Sequence, residues 1–352
     1  MKTETLLPLG KLDPGLRNPD TPLDLASLPA AAAQVEALGY DALVIEETKH
    51  DPYQVLAVAS AATSTLGLAT SVAMAFPRSP TVTAMSAWTL QQLSGGRFVL
   101  GLGSQVRGHV RRRFGMQWHP PAPWMRDYVR AVRAVWRCWQ TGEPLDYRGD
   151  HYQLDLMVPL FDPGPIEHPD IEVHIAAVNP NMCAVAGETA DGVRLHPVCS
   201  PAYIAQTMLP ALQRGAVRGG RSAGDVDLCM KPLVATAPDP AGLARVSRTV
   251  RERVGFYLST PSYRPAFAVH GWEDLAEQAT ALSRAQRWED LSALVDDEML
   301  HTIAAVGTHD TIGELLADRY GGLIQRIEFS IPVADPGDAE VLRSILARVA
   351  AA

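Results

Sequence analysis

The segment DALVIEETKHDPY, residues 41–53, changes character halfway along. Asp41 to Ile45 read as a buried strand, and the chain then crowds Glu46, Glu47, Lys49, His50 and Asp51 into the next few positions. An imidazole titrates near neutrality, and a carboxylate or ammonium beside it can orient it or move its pKa. Together these residue types suit proton transfer at a reacting centre. The competing reading is a surface run whose charges pair with one another.

Three other stretches carry chemistry-bearing residues at the ends of apolar runs. Thr70, Ser71 and Ala73 are small, so either a planar ligand lies against the backbone there or the next helix packs closely. In Val178-Asn179-Pro180-Asn181-Met182, Asn at a cap and Pro in the first turn leave backbone N–H groups pointing out of a helix start. Such a start binds phosphate or is an ordinary capped helix, and the arginines Arg107 and Arg111 to Arg113 favour the anion. His196 ends another apolar run, where its imidazole either donates to a ligand phosphate or ring or faces solvent.

The elements that must position these residues alternate. Thr5 to Leu9 is a short apolar run followed by a polar Asp/Pro/Gly/Asn loop, and a helical pattern then closes at Gly39 before the strand at Asp41. Helix 53–63, strand 66–76, helix 80–93 and strand 97–103 follow. A long loop from Ser104 to Pro123 leads to helix 124–139. Alternation resumes with strand 172–178, helix 181–190, strand 192–196, helix 200–215, strand 226–236 and helix 240–258. Helices near 272–286 and 308–319, a strand at 322–331 and a terminal helix from Pro336 complete the pattern. Strands centred near residues 5, 43, 71, 99, 174, 194, 231 and 327, joined by helices, predict a closed (β/α)8 TIM barrel. Its active site is expected at the C-terminal strand ends. An open doubly wound sheet fits less well, because no G-x-G-x-x-G follows the first strand.

The chain of 352 residues, 47% hydrophobic and 20% charged, can bury a large core. We read residues 1–352 as one domain with irregular insertions near 141–170 and 259–290. A net charge of −8 with one arginine patch argues against nucleic acid and for a small anionic ligand. Cys138, Cys183, Cys199 and Cys229 form no C-x-x-C pair and read as reduced, buried thiols. No apolar run is long enough for a membrane span or signal peptide, so a cytoplasmic protein is expected. The histidines lack helical metal spacing, and no metal site is expected. H-E-x-x-H, G-x-S-x-G and P-loop patterns are absent.

ALGYDALVIEETKHDPY, LGLATSVAMAFPRSPTVTA, LQQLSGGRFVLGLGS, YRGDHYQL and AVAGETADGVRLHP, in this order over residues 33–197, resemble the luciferase-like monooxygenase superfamily and its coenzyme F420-dependent branch. The resemblance implies a deazaflavin, or alternatively FMN, at the C-terminal mouth of the barrel. Ser71-Val72, with Ala73 following, matches the place where relatives carry a non-prolyl cis peptide under the ring. Val178, Asn179, Pro180, Asn181 and Met182 match the cofactor-phosphate loop, and His196 follows the next strand toward the same phosphate end. Ser104 matches a polar residue beside the ring, and His50 a histidine near the reacting carbon. A relative that oxidises a sugar phosphate has a glutamate where Val106 stands, which argues against that substrate. Members are commonly dimers, so a homodimer is expected.

The function expected from this resemblance is hydride transfer between deazaflavin C5 and a small organic substrate. His50 is then the general acid/base, Glu46 its partner in preference to Glu47 or Asp51, and Lys49 an electrostatic stabiliser or second proton donor. An FMN-dependent monooxygenase and a non-catalytic cofactor-binding barrel are the alternatives.

Overall fold

The computed structural model describes residues 1–11 and 23–352; most of the polar loop expected after the first strand lies outside the described residues. The strands in chain order are β1 (Lys2–Thr5), β2 (Ala42–Ile45), β3 (Gly67–Thr70), β4 (Ala73–Met74), β5 (Phe98–Gly103), β6 (Tyr147–Arg148), β7 (Gln153–Leu154), β8 (Glu172–Ala177), β9 (Gly192–Leu195), β10 (Asp227–Met230), β11 (Leu233–Ala237), β12 (Ala304–Thr308) and β13 (Arg326–Glu328). The main sheet runs β3-β2-β1-β13-β10-β9-β8-β5-β4, and the β3–β5 pairing closes it. Because β3 and β4 are two halves of one barrel position, the result is an eight-position parallel barrel.

The helices are α1 (Leu28–Ala37), α2 (Pro52–Ala61), α3 (Pro80–Ser94), α4 (Arg107–Arg112), α5 (Pro121–Thr141), α6 (Pro180–Thr189), α7 (Pro201–Tyr203), α8 (Leu209–Arg218), α9 (Pro240–Leu258), α10 (Arg264–Ala268), α11 (Glu273–Arg284), α12 (Asp297–Ile303), α13 (His309–Tyr320) and α14 (Pro336–Ala350). A π-helical turn, Ile204–Met208, joins α7 to α8. A side-chain acceptor followed by proline starts several of them: Asp51 caps α2, Ser79 caps α3, Asp239 caps α9 and Asp335 caps α14. Proline suits that position because its missing N–H would have no intrahelical partner.

Period-two alternation divides the barrel strands between two environments. Leu43, Ile45, Leu68, Leu100, Leu102, Val173, Ile175, Val193, Leu195 and Ile327 join the large core shared with the helices. Leu6, Val44 and Ala69, with Val99, form a separate small cluster inside the barrel. The rest of the interior is polar: Glu4, His174, Arg194 and Arg326 are all buried. Burying ions this deeply is tolerable only with close partners, and Arg194 Nη1 donates to Glu4 Oε2 at 2.7 Å. Arg326 Nη2 reaches Glu172 Oε2 at 2.7 Å, and its Nε reaches Asp227 Oδ2 at 2.8 Å.

Four expectations change. The first strand is Lys2–Thr5, not the apolar run beginning at Thr5; Glu4 is buried in the polar interior and Lys2 is exposed, so the strand is disguised, while Pro8 lacks the N–H a ladder needs. The strand expected over 226–236 breaks at Lys231-Pro232 into β10 and β11. There β11 pairs in parallel with β12, which the periodicity did not reveal, from Leu233↔Ala304 to Ala237↔Thr308. The loop after Ser104 contains α4. The insertion near 141–170 holds the β6–β7 hairpin, which Asp127 of α5 anchors by accepting from Tyr152 N and the Tyr147 hydroxyl.

Candidate active site at the barrel mouth

The C-terminal ends of the barrel strands gather most of the candidate residues. At the third position, β3 ends at Thr70, whose hydroxyl donates to Gly101 O at 2.7 Å and accepts from Gly101 N at 2.8 Å. A Cβ on Gly101 would stand 1.9 Å from Thr70 O, so glycine is what lets β5 approach this closely. The Ser71–Val72 peptide is cis, at the position the resemblance implies. Val72 O accepts from Glu47 N, and a Cβ on Gly103 would collide with Val72 Cγ2 at 2.5 Å. Ser71 Oγ accepts from Arg194 Nη1 at 3.4 Å, which ties the bulge to the ion pair below it. Ala73 is fully buried in β4.

The cluster after β2 divides into two functions. Glu47 Oε2 accepts from Met74 N at 2.6 Å and from Arg78 Nη1 at 2.7 Å, while Arg78 Nη2 donates to Asp51 Oδ2 at 2.9 Å. Asp51 Oδ1 also accepts from Tyr53 N at 2.9 Å as the α2 cap. Glu47 and Asp51 therefore clamp the bulge and start a helix; they do not orient His50. Glu46 points elsewhere, accepting from Lys231 Nζ at 2.6 Å and Lys11 Nζ at 3.3 Å. His50 Nε2 is buried and has no hydrogen-bond partner among the described residues. It lines a small, partly open cavity with Glu46, Lys49, Lys11, Leu6 and Val44. Lys49 is exposed on its rim. The structure thus brings His50, Glu46 and Lys49 together, but directs the Glu46 carboxylate to lysines rather than to the imidazole.

The phosphate-type residues lie across the barrel. Asn179 precedes α6 without capping it by its side chain, and Asn179 Nδ2 instead donates to Ser262 O at 3.0 Å. Pro180 opens the helix, Asn181 is exposed and Met182 is buried. Val178 O accepts from the Tyr203 hydroxyl at 2.8 Å. His196 packs 4.2 Å from the Tyr263 ring and 4.9 Å edge-on from the Tyr257 ring, with Nδ1 accepting from Val198 N. Ser104 is half-buried just beyond β5. A helix start whose side-chain cap is directed elsewhere, facing a bulge cleared by glycines, fits a phosphate-bearing ring cofactor.

Sequence reasoning overlooked Lys231 and Glu328. Glu328 continues the inward row of β13, and Lys231 Nζ stands 3.5 Å from its Oε1. Both line a second, larger cleft running under α9, which meets the first cavity at Leu6 and Lys11. Burial pushes the Glu328 carboxyl up to about 7; Lys231 and Arg194 oppose the shift while Glu46 and Glu4 add to it. Glu4 contrasts with this: burial is the largest influence and works to raise its pKa, but Arg194, Arg326 and His174 together hold it below the usual carboxylate range. The signal available in the sequence was a lone carboxylate at an inward position of a strand buried on both faces.

Among the described residues no helix is long and apolar enough to cross a membrane, and no cluster of metal-binding side chains occurs. An uncharacterized Mycobacterium tuberculosis protein is 40% identical over 325 residues, 92% of this chain and 95% of its own. A second protein of that organism, provisionally named coenzyme F420-dependent oxidoreductase, is 28% identical over 349 residues, covering 93% and 95% of the two chains. The solved coenzyme F420-dependent tetrahydromethanopterin reductase from Methanopyrus kandleri superposes with a TM-score of 0.74 at 20% identity, over 100% of this chain and 98% of that one. The model of the luciferase-like monooxygenase family matches residues 10–326, and the chain belongs to that family.

Proposed function

We propose that the protein is an F420-dependent oxidoreductase that moves a hydride between the deazaflavin and a small organic substrate. The observation that carries this reading is the buried His50 Nε2, without a hydrogen-bond partner among the described residues, in the wall of the mouth cavity beyond β2, the strand next to the one that carries the cis bulge. A buried polar atom without a partner costs about 1–3 kcal/mol, and a ligand that bonds it recovers that cost. Support for F420 over FMN comes from the relative at 28% identity whose name carries F420.

In this reading Ser71, Val72 and Ala73 support the ring and Ser104 bonds its edge. The phosphate end is held by Val178, Asn179, Pro180, Asn181 and Met182, with His196 beside them. When bound, a deazaflavin supplies a carbon that accepts or gives a hydride. The chain's own task is to orient the substrate and hold a proton. His50 does this as general acid/base, Lys49 stabilises charge at the rim, and Glu46 fixes two ammonium groups beside the reacting atoms. The sequence acts as one domain and as a homodimer, for which exposed Val58 on α2 and Val82 and Met85 on α3 offer an apolar face.

Titrating the protein separately with F420 and FMN, followed by cofactor fluorescence, tests this. Tight retention of F420 alone is expected. Retention of FMN alone, with oxygen consumption on reduction, would replace the reading with an FMN-dependent monooxygenase. F420 retention without turnover across carbonyl, enone, imine and alcohol panels would favour a non-catalytic binder.

A further inference from the structure

Oxidising a dihydrodeazaflavin while reducing a carbonyl releases one proton from the ring nitrogen and consumes one at the substrate oxygen. A site for that chemistry is best served by two proton stations, and His50 is one. On the opposite side of the Glu46 carboxylate stands a second set. Lys231 Nζ bonds Glu46 Oε1 at 2.6 Å and lies 3.5 Å from Glu328 Oε1, and the Glu328 side chain is 9% exposed. Both residues line the cleft under α9, whose other walls include Leu233, Val250, Phe329 and Ile331. The Lys231 side chain is the more exposed of the two, 26% against 9% for Glu328.

We propose that Lys231 and Glu328 form a proton-delivery pair for a carbonyl or imine substrate bound in this cleft, an inference that rests on the hydride-transfer reading above. As a hydride from the reduced deazaflavin forms the new C–H bond, the C=O π bond breaks. The oxygen takes a proton from Lys231 Nζ, and Lys231 recovers one from Glu328, which is left as a carboxylate. His50 would take up the proton that the reduced cofactor releases, so hydride donor, substrate and protein balance. Run backward, the same pair accepts the proton of an alcohol.

The surroundings of Glu328 suit this role. Lys231 and Arg194 bring positive charge, and Glu46 and Glu4 bring negative charge. Tyr40, which packs beside it, donates its hydroxyl to Phe329 O. Arg253 of α9 lines the same cleft, and Lys11 binds the far side of Glu46. With charges of both signs opposing one another, burial decides, and it places the carboxyl where it can both give and take a proton near neutrality.

Infrared difference spectroscopy of the protein without added cofactor, wild type against Glu328→Gln, tests the first half. A carboxylic-acid C=O band is expected below about pH 6, vanishing with a midpoint near 7, and Lys231→Gln should move the midpoint upward. Absence of a Glu328-dependent acid band overturns the proposal. The second half is read from the pH profile of single-turnover carbonyl reduction by the loaded protein, using F420, or FMN where F420 is not retained. A limb with a midpoint near 7, lost in Glu328→Gln, is expected. Identical pH profiles in the two proteins overturn the relay. Failure to retain F420 counts against the cofactor reading alone, because the infrared measurement needs no cofactor.

Discussion

The lower and upper halves of the barrel interior are built from the same residue types and behave differently. Below, Arg194 holds Glu4 at 2.7 Å, and Arg326 bonds both Glu172 and Asp227. Buried His174 lies against Glu172 and the Cys229 thiol, and burial keeps its pKa below the usual value. Above, Glu46 is shared by Lys11 and Lys231, Lys231 stands farther from Glu328 at 3.5 Å, and His50 Nε2 has no hydrogen-bond partner among the described residues. Short ion pairs hold the carboxylates of the lower half, although the buried Arg194 Nε has no hydrogen-bond partner among the described residues. Unequal sharing leaves the upper half with groups that can still change protonation or accept a ligand. Charge in this barrel is structural where carboxylate and guanidinium meet at short distance and open to chemistry where they do not.

That contrast can be broken at its floor first. Arg194→Met should destabilise the fold by about 3–5 kcal/mol, because it strands the buried Glu4 carboxylate; urea denaturation measures this, and a loss below about 1 kcal/mol would mean the floor is not held by ion pairing. At the mouth, His50→Asn should leave the urea midpoint nearly unchanged. It should slow hydride transfer by roughly a hundredfold or more in stopped flow, the range for loss of a general acid/base. An unchanged rate and pH profile would remove His50 from the chemistry.

Glu328 sharpens the comparison through pH. Its folded pKa is raised to about 7 from the usual carboxylate value, so between those two pH values the folded state holds more protons than the unfolded state. The stabilisation from this group is complete below the unfolded pKa and disappears as pH rises to about 7. Glu328→Gln should therefore gain stability relative to wild type between pH 5 and 8, by up to about 3 kcal/mol; parallel stability curves would show that the carboxyl is ionised throughout. The smallest effect is expected outside the barrel. Glu36 Oε1 accepts from the backbone N–H groups of Ser64, Thr65 and Leu66, and those bonds, Thr65 first, lower its pKa to about 2. Glu36→Gln should cost about 1 kcal/mol at neutral pH, and the difference should shrink as pH falls from the normal carboxylate range toward 2, because the wild-type group then protonates.

Legibility in the sequence followed the same division. Helices with an Asp/Ser-Pro start, such as α3 and α9, lay close to their expected bounds, because capping chemistry is local. The strands that feed apolar residues to the helices were also visible. Strands that place charge inside the barrel were harder to see: β1 was displaced because Lys2 and Glu4 read as surface residues, and Glu328 drew no notice within β13. Of the 46–51 cluster, the sequence indicated where the ionisable groups collect. It could not assign partners, because Arg78, Lys11 and Lys231 arrive from other strand ends and only the closed barrel sets them beside Glu47 and Glu46.

The most direct test of the whole account is a crystal structure with F420 bound. The account predicts the ring against Ser71-Val72 with its phosphate at Asn181. It also predicts His50 Nε2 and Lys231 Nζ facing the substrate space over the ring. A ring bound away from the bulge, or a mouth in which His50 and Lys231 turn from that space, would contradict it.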